Sequence, residues 1–208
     1  MKFFSKEELK VLFIILTAIT LASFYNFRIA LRRARDVQRR ADIDLIHNAL
    51  SAYQADYGFF PPSDSEGRII ACKGEKYDEV VGEMLNENKI ERNLYFEGLA
   101  DCEWYFDGLV NLESREVYLE KIPGDPRNGQ GIRYRYISNT NRFQLYAFLE
   151  GESEEEGFRD NIVGRTLGCG TKICNFGKAY GESPLDKSLE EYENELLQSD
   201  TNIQITPE

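Results

Sequence analysis

Four cysteines, one histidine, a run of arginines and a knot of glutamates are the side chains whose types and spacing could do chemistry here. The cysteines are Cys72, Cys102, Cys169 and Cys174, with no CxxC among them. Zinc sites present closely spaced ligand pairs, and the Cys72 and Cys102 spacing does not resemble one. Two disulfides fit better if the head sits outside the cytoplasm; four unpaired thiols are the alternative in a reducing compartment. Of the three possible pairings we favour Cys72–Cys102 and Cys169–Cys174, the second closing the short loop "CGTKIC". His47 is the one histidine, which nearly excludes histidine-based catalysis and histidine-rich metal sites. The chain has no nucleophile elbow, phosphate loop or metalloprotease helix. Pairs of acids are plentiful, but a chain with 36 Asp and Glu produces them by chance. We expect no enzyme, no cofactor and no metal.

The arginines sit where an apolar segment ends. "VLFIILTAITLASF" leads into "NFRIALRRARDVQRRADI", which holds Arg28, Arg32, Arg33, Arg35, Arg39 and Arg40 within thirteen residues. Val11 to Phe27 is a run of 17 residues without a charge. As a helix it measures about 25 Å, at the short end of what crosses a bilayer. A secretory signal peptide is the weaker reading, because the helical pattern continues past any cleavage point. Further on, apolar residues recur at Val37, Ala41, Ile46, Ala49, Leu50, Tyr53 and Tyr57, and from Ile46 the spacing is helical. Gly58 and "FFPP" then stop the helix. One rod of more than forty residues is predicted, lipid-compatible at first and amphipathic later. Charge follows the same division. Residues 1–50 carry nine Lys/Arg against five Asp/Glu, and residues 51–208 carry 16 against 31. An acidic head is a poor ligand for nucleic acid.

Beyond the rod, a helix is predicted near Asp78–Asn88 and another over Gly108–Glu120. "IRYRYIS" and "RFQLYAFLE" alternate apolar with polar around "NTN", which predicts an antiparallel hairpin. Its apolar face, with Ile132, Tyr134, Tyr136, Phe143, Leu145, Ala147 and Leu149, has the rod as its natural partner. "EGESEEEGFRD" reads as an acidic loop. A last acidic helix is expected from Ser183 as N-cap, with Leu185, Leu189, Tyr192 and Leu196 on one face, and a disordered tail after Ser199.

Two blocks of sequence carry a resemblance. "RRARDVQRRADIDLIHNALSAYQADYGFFPP" is similar to the stem of the G-type pseudopilins, within the type IV pilin and type II secretion pseudopilin superfamily. "YLEKIPGDPRNGQGIRYRY" followed by "FQLYAFLE" resembles a second block of the same proteins, in the same order. The resemblance implies an α+β, pilin-like fold: a long N-terminal transmembrane and amphipathic helix packed on a small antiparallel sheet. The expected organisation is a membrane segment over 1–27, a stem helix over 28–60, an α+β head over 61–182, and an acidic helix and tail over 183–208.

It also implies assembly. Phe4 falls on the family's mature N-terminal residue and Glu8 on its membrane-embedded glutamate, a carboxylate that needs a cation beside it in hydrocarbon. Arg35 and Arg39, with the other stem arginines, are expected to meet carboxylates of neighbouring subunits or lipid headgroups. The expected partners are copies of this chain, other pilin-like subunits, an inner-membrane assembly platform and membrane lipids. The head would be extracytoplasmic, in the cell membrane and in a surface filament, although six arginines after the span against three lysines before it favour the opposite topology. Family members bind calcium in a C-terminal loop; Glu152, Glu154, Glu155, Glu156 and Asp160 are the oxygen ligands on offer, but the family's aspartate pattern is missing. The family's peptidase cuts after glycine, where this chain has Phe3. That departure leaves an alternative open: a single-pass, membrane-anchored binding protein of pilin-like fold that never polymerises.

Overall fold

No glycine or proline precedes Gly58, so nothing interrupts helix formation in the first part of the chain. In the computed structural model, which describes residues 6–87 and 91–203, helix α1 runs unbroken over Lys6–Tyr57. Its 52 residues make a rod of about 78 Å. Gly58 ends it in the left-handed region at φ 76°, and its N–H donates to the Gln54 carbonyl at 2.8 Å. The apolar part, from Leu9 to Phe27, is exposed throughout, and the rod is long and apolar enough to cross a membrane.

The rest of the chain is built of small antiparallel sheets and short helices, giving an α+β fold with a long apolar N-terminal helix. In chain order come β1 (Ile70–Lys73), α2 (Tyr77–Glu87), α3 (Arg92–Glu97), β2 (Leu99–Asp101), β3 (Leu109–Val110) and β4 (Val117–Leu119). Then follow β5 (Arg135–Ser138), β6 (Phe143–Ala147), α4 (Asp160–Val163), β7 (Gly168–Cys169), β8 (Lys172–Ile173), β9 (Phe176–Ala179) and α5 (Leu189–Ile203). The pairs β1–β2, β3–β4 and β7–β8 are two-stranded, and β5–β6–β9 form a three-stranded sheet with β6 at its centre. The predicted hairpin is present, with Arg135 opposite Tyr146 and Ser138 opposite Phe143. Asn139 Oδ1 closes its turn by accepting the Asn141 and Arg142 N–H groups.

The core forms where the second half of α1 meets this sheet. Ile43, Ile46, Ala49, Leu50 and Tyr53 of α1 are buried with Tyr134, Tyr136, Phe143, Leu145 and Ala147. Phe60 wedges between Phe143 and Tyr180, its ring centroid 4.8 and 4.7 Å from theirs. Disulfides join Cys72 to Cys102, beside the β1–β2 ladder, and Cys169 to Cys174, across the β7–β8 hairpin.

Four expectations need correction. Residues 108–120 are a hairpin, β3–β4, and not a helix. Asn111 Oδ1 accepts the N–H groups of Glu113 and Ser114, a local turn that competes with helix formation. The last helix begins at Leu189, with Ser188 and Glu191 as its reciprocal cap, while Ser183 is buried in a bent segment that precedes it. That helix also continues past Ser199, to Ile203. Lastly, Val37 and Ala41, grouped with Ile46 to Tyr57 in the apolar recurrence, lie on the opposite side of α1 from the core, and Val37 is 62% exposed.

Candidate functional site

The stem arginines and the head meet in a charged cluster. Arg39 is fully buried, and its guanidinium binds three carboxylates of its own chain. Nε and Nη2 donate to Asp125 at 2.7 and 3.1 Å, while Nη1 donates to Asp36 at 2.8 Å and to Glu150 at 2.9 Å. Arg35, one turn earlier on α1, grips Glu150 with two parallel hydrogen bonds of 2.6 and 2.7 Å. Arg127 Nη1 supplies a further hydrogen bond to Glu150 at 3.0 Å. Three arginines therefore face three carboxylates, and the cluster is electroneutral.

Geometry explains why the charges tolerate burial. Asp36 also accepts the backbone N–H groups of Glu150 and Gly151, both at 2.9 Å, so the helix carboxylate caps the loop after β6. Asp125 accepts the Arg127 N–H at 2.7 Å. Tyr105 holds the Asp125 backbone in place by donating its hydroxyl to the carbonyl, at the cost of a left-handed backbone at φ 71°. Burial alone would lower the Arg39 pKa, but the carboxylates outweigh it and raise the value. Burial likewise pushes Glu150 up, and the hydrogen bonds from Arg35 and Arg39 overturn this and hold it at about 2.

The other stem arginines divide by height. Arg32 reaches Glu156 at 2.7 Å, and Arg40 donates to the Glu156 carbonyl at 2.5 Å. Arg28 lies over the Phe24 ring, and the Arg33 side chain stays 68% exposed. Arg35 and Arg39, expected to meet neighbouring subunits, are thus matched to acids within one molecule. Glu8 lies on an exposed turn of α1, where the nearby Glu7 pairs with Lys10 at 2.8 Å; Phe4 falls outside the described residues. Of the acidic loop, Glu156 is taken by Arg32, Asp160 starts α4, and Glu152, Glu154 and Glu155 are exposed. Among the described residues no group of three or more His, Cys, Asp or Glu is gathered to hold a metal ion. His47 packs against the Phe143 ring at 5.3 Å, and burial, with Lys178 nearby, lowers its pKa.

The side of α1 turned away from the head carries a second row. Ala34, Val37, Ala41, Leu45, Ala52 and Ala55 are all exposed and fall within one arc of the helix. Their spacing of three, four, four, seven and three keeps them in line, with Asn48 filling the gap.

Sequence reasoning missed Asp36, Asp125, Glu150 and Arg127 as members of the cluster. A signal was present: "RARD", "GDPR" and "FLE" all lie in the two blocks that carry the resemblance, and the fold brings all three to Arg39. Compared with protein-family models, curated proteins and solved structures, the chain gives no match.

Proposed function

We propose that this chain is a structural subunit of a type IV pilus-like or type II secretion pseudopilus filament. Its pilin-like α1 anchors it in the membrane before assembly and packs against other copies afterwards. The observation that carries this reading is α1 itself, unbroken for 52 residues, bare over its apolar part and lined beyond that by an exposed row of alanine, valine and leucine. Small residues let helices approach closely, and an apolar row in water needs a partner. The internal matching of Arg35 and Arg39 makes stem and head one body, as a subunit that transmits load requires. Arg28, and the exposed Arg33 with its longer 3.5 Å pairing to Glu156, are placed to meet phospholipid headgroups at the end of the span. The disulfides support an extracytoplasmic head. Other pilin-like subunits and an inner-membrane assembly platform complete the set of partners.

The alternative is a single-pass anchored surface protein that does not polymerise. Phe3 in place of a processing glycine favours it, and so does the Glu7–Lys10 pair, which suits a helix start at the membrane interface. Mass spectrometry of the N-terminus in native membranes separates the two readings. A chain beginning at N-methyl-Phe4, together with filaments containing this chain in sheared surface material, supports the subunit. An intact Met1 with no filament under the electron microscope supports the anchor.

A further inference from the structure

The central strand β6 is buried on both of its faces. On β6, Phe143, Leu145 and Ala147 point to α1, while Gln144 and Tyr146 point the other way and are also fully buried. The bent segment 183–187 covers them, together with Ile162, Cys169 and Cys174 over Tyr146. Gln144 Nε2 donates to the carbonyls of Pro184 and Lys187 at 2.5 and 2.8 Å, and Tyr146 donates its hydroxyl to the Leu185 carbonyl at 3.0 Å. Arg165 Nη1 ties the set together, donating to Gln144 Oε1 at 3.0 Å, to the Leu185 carbonyl at 3.2 Å and to the Tyr146 hydroxyl. Side chains buried in the head thus read three main-chain carbonyls of one short segment without helix or strand, as a groove can receive a peptide.

We propose that this groove on the outer face of β6 takes the 183–203 arm of a second copy of the chain, and that the chain's own arm fills it when the copy is alone. The contacts belong to the backbone and to a sequence every copy carries, so an arm from a neighbour reproduces each of them. The arm is joined to β9 through Gly181, which is in the left-handed region at φ 59° with open space around it. Beyond the carbonyl contacts, the arm is held by Asn139 Nδ2 to Glu193 at 2.6 Å, Arg142 Nη1 to Ser183 at 3.4 Å, Arg142 over the Tyr192 ring and buried Leu189, among others. Charge fits as well, since Arg142 and Arg165 face an arm carrying Glu190, Glu191, Glu193 and Glu195. Its release uncovers Gln144 and Tyr146 but removes nothing from the face of the sheet packed on α1. The arm's own groove wins in dilute solution by effective concentration, and exchange grows when heads are crowded. This exchange does not depend on stem packing, so failure of filament assembly leaves it intact.

The test uses full-length protein in detergent, where the four native cysteines are already paired. Asn139→Cys on one tagged copy and Glu193→Cys on another are mixed and oxidised. Exchange gives a cross-linked heterodimer whose share rises with protein concentration. Independently, a fluorescent peptide of residues 181–203 is taken up by the unmodified chain. The oxidised Asn139→Cys/Glu193→Cys double variant, with its arm locked in place, loses that uptake. Either signal supports exchange; a mixture that forms no heterodimer, together with an unmodified chain that takes up no peptide, overturns it.

Discussion

Arg39 of the stem and Asp125 of the head lie 86 residues apart in sequence, yet they meet in a two-pronged ion pair with both side chains wholly buried. Stem and head are locked at this point. Removing the cation leaves Asp36 and Asp125 buried and uncompensated. Arg39→Met is therefore expected to cost about 3–5 kcal/mol. Chemical denaturation of the detergent-solubilised chain measures it, and a loss below 1 kcal/mol would show that the cluster carries little.

Acid should unlock the same joint. The folded-state pKa of Glu150 is depressed to about 2 from an ordinary 4.5, so its contribution is fully present above pH 4.5 and disappears as pH falls toward 2. The loss amounts to roughly 3 kcal/mol. His47 acts earlier and with the same sign, because its lowered pKa means that stability declines once pH drops below 6.5. Glu150→Gln should be less stable than the parent at pH 7 and flatter between pH 4.5 and 2 in a denaturation series.

The exposed row on α1 can be tested without touching the core. Ala41→Glu places a carboxylate between Val37 and Leu45 on a surface already in solvent. Head stability should move by no more than about 0.5 kcal/mol. Self-association, followed by cross-linking in membranes and by microscopy of surface filaments, should be lost. Filaments that form unchanged would remove this row from the assembly.

The two disulfides should differ in weight. Cys72–Cys102 closes a chain separation of 30 residues and Cys169–Cys174 one of five. Loop-closure entropy then assigns about 3.5 kcal/mol to the first and about 2 to the second. Paired Cys→Ser variants, compared by thermal and chemical unfolding, should keep that order.

At the last helix, Ser188 accepts the Glu191 N–H at 3.1 Å while the Glu191 carboxylate accepts the Ser188 N–H at 2.7 Å. Ser188→Ala should cost about 1 kcal/mol. Amide exchange should record it as faster opening confined to the first turn of α5.

What the sequence determined by itself was whatever local signals control. The unbroken rod followed from the absence of glycine and proline before Gly58, and the β5–β6 hairpin from alternation around an asparagine turn. Tertiary structure decided the rest. Two apolar rows run along α1 with the same period, and only the position of the sheet determines that Ile43, Ile46 and Leu50 are covered while Ala34, Val37 and Ala41 are not. Asp36 is a local i,i+3 partner of Arg39, but the head partners of Arg35 and Arg39 come from residues 86 to 115 positions away, beyond the reach of any spacing rule. Residues 183–187 have the makings of a helix start, but Gln144, Tyr146 and Arg165 claim the carbonyls of Pro184, Leu185 and Lys187 and keep them out of the helix. A few long-range hydrogen bonds and the burial of apolar surface made the choice.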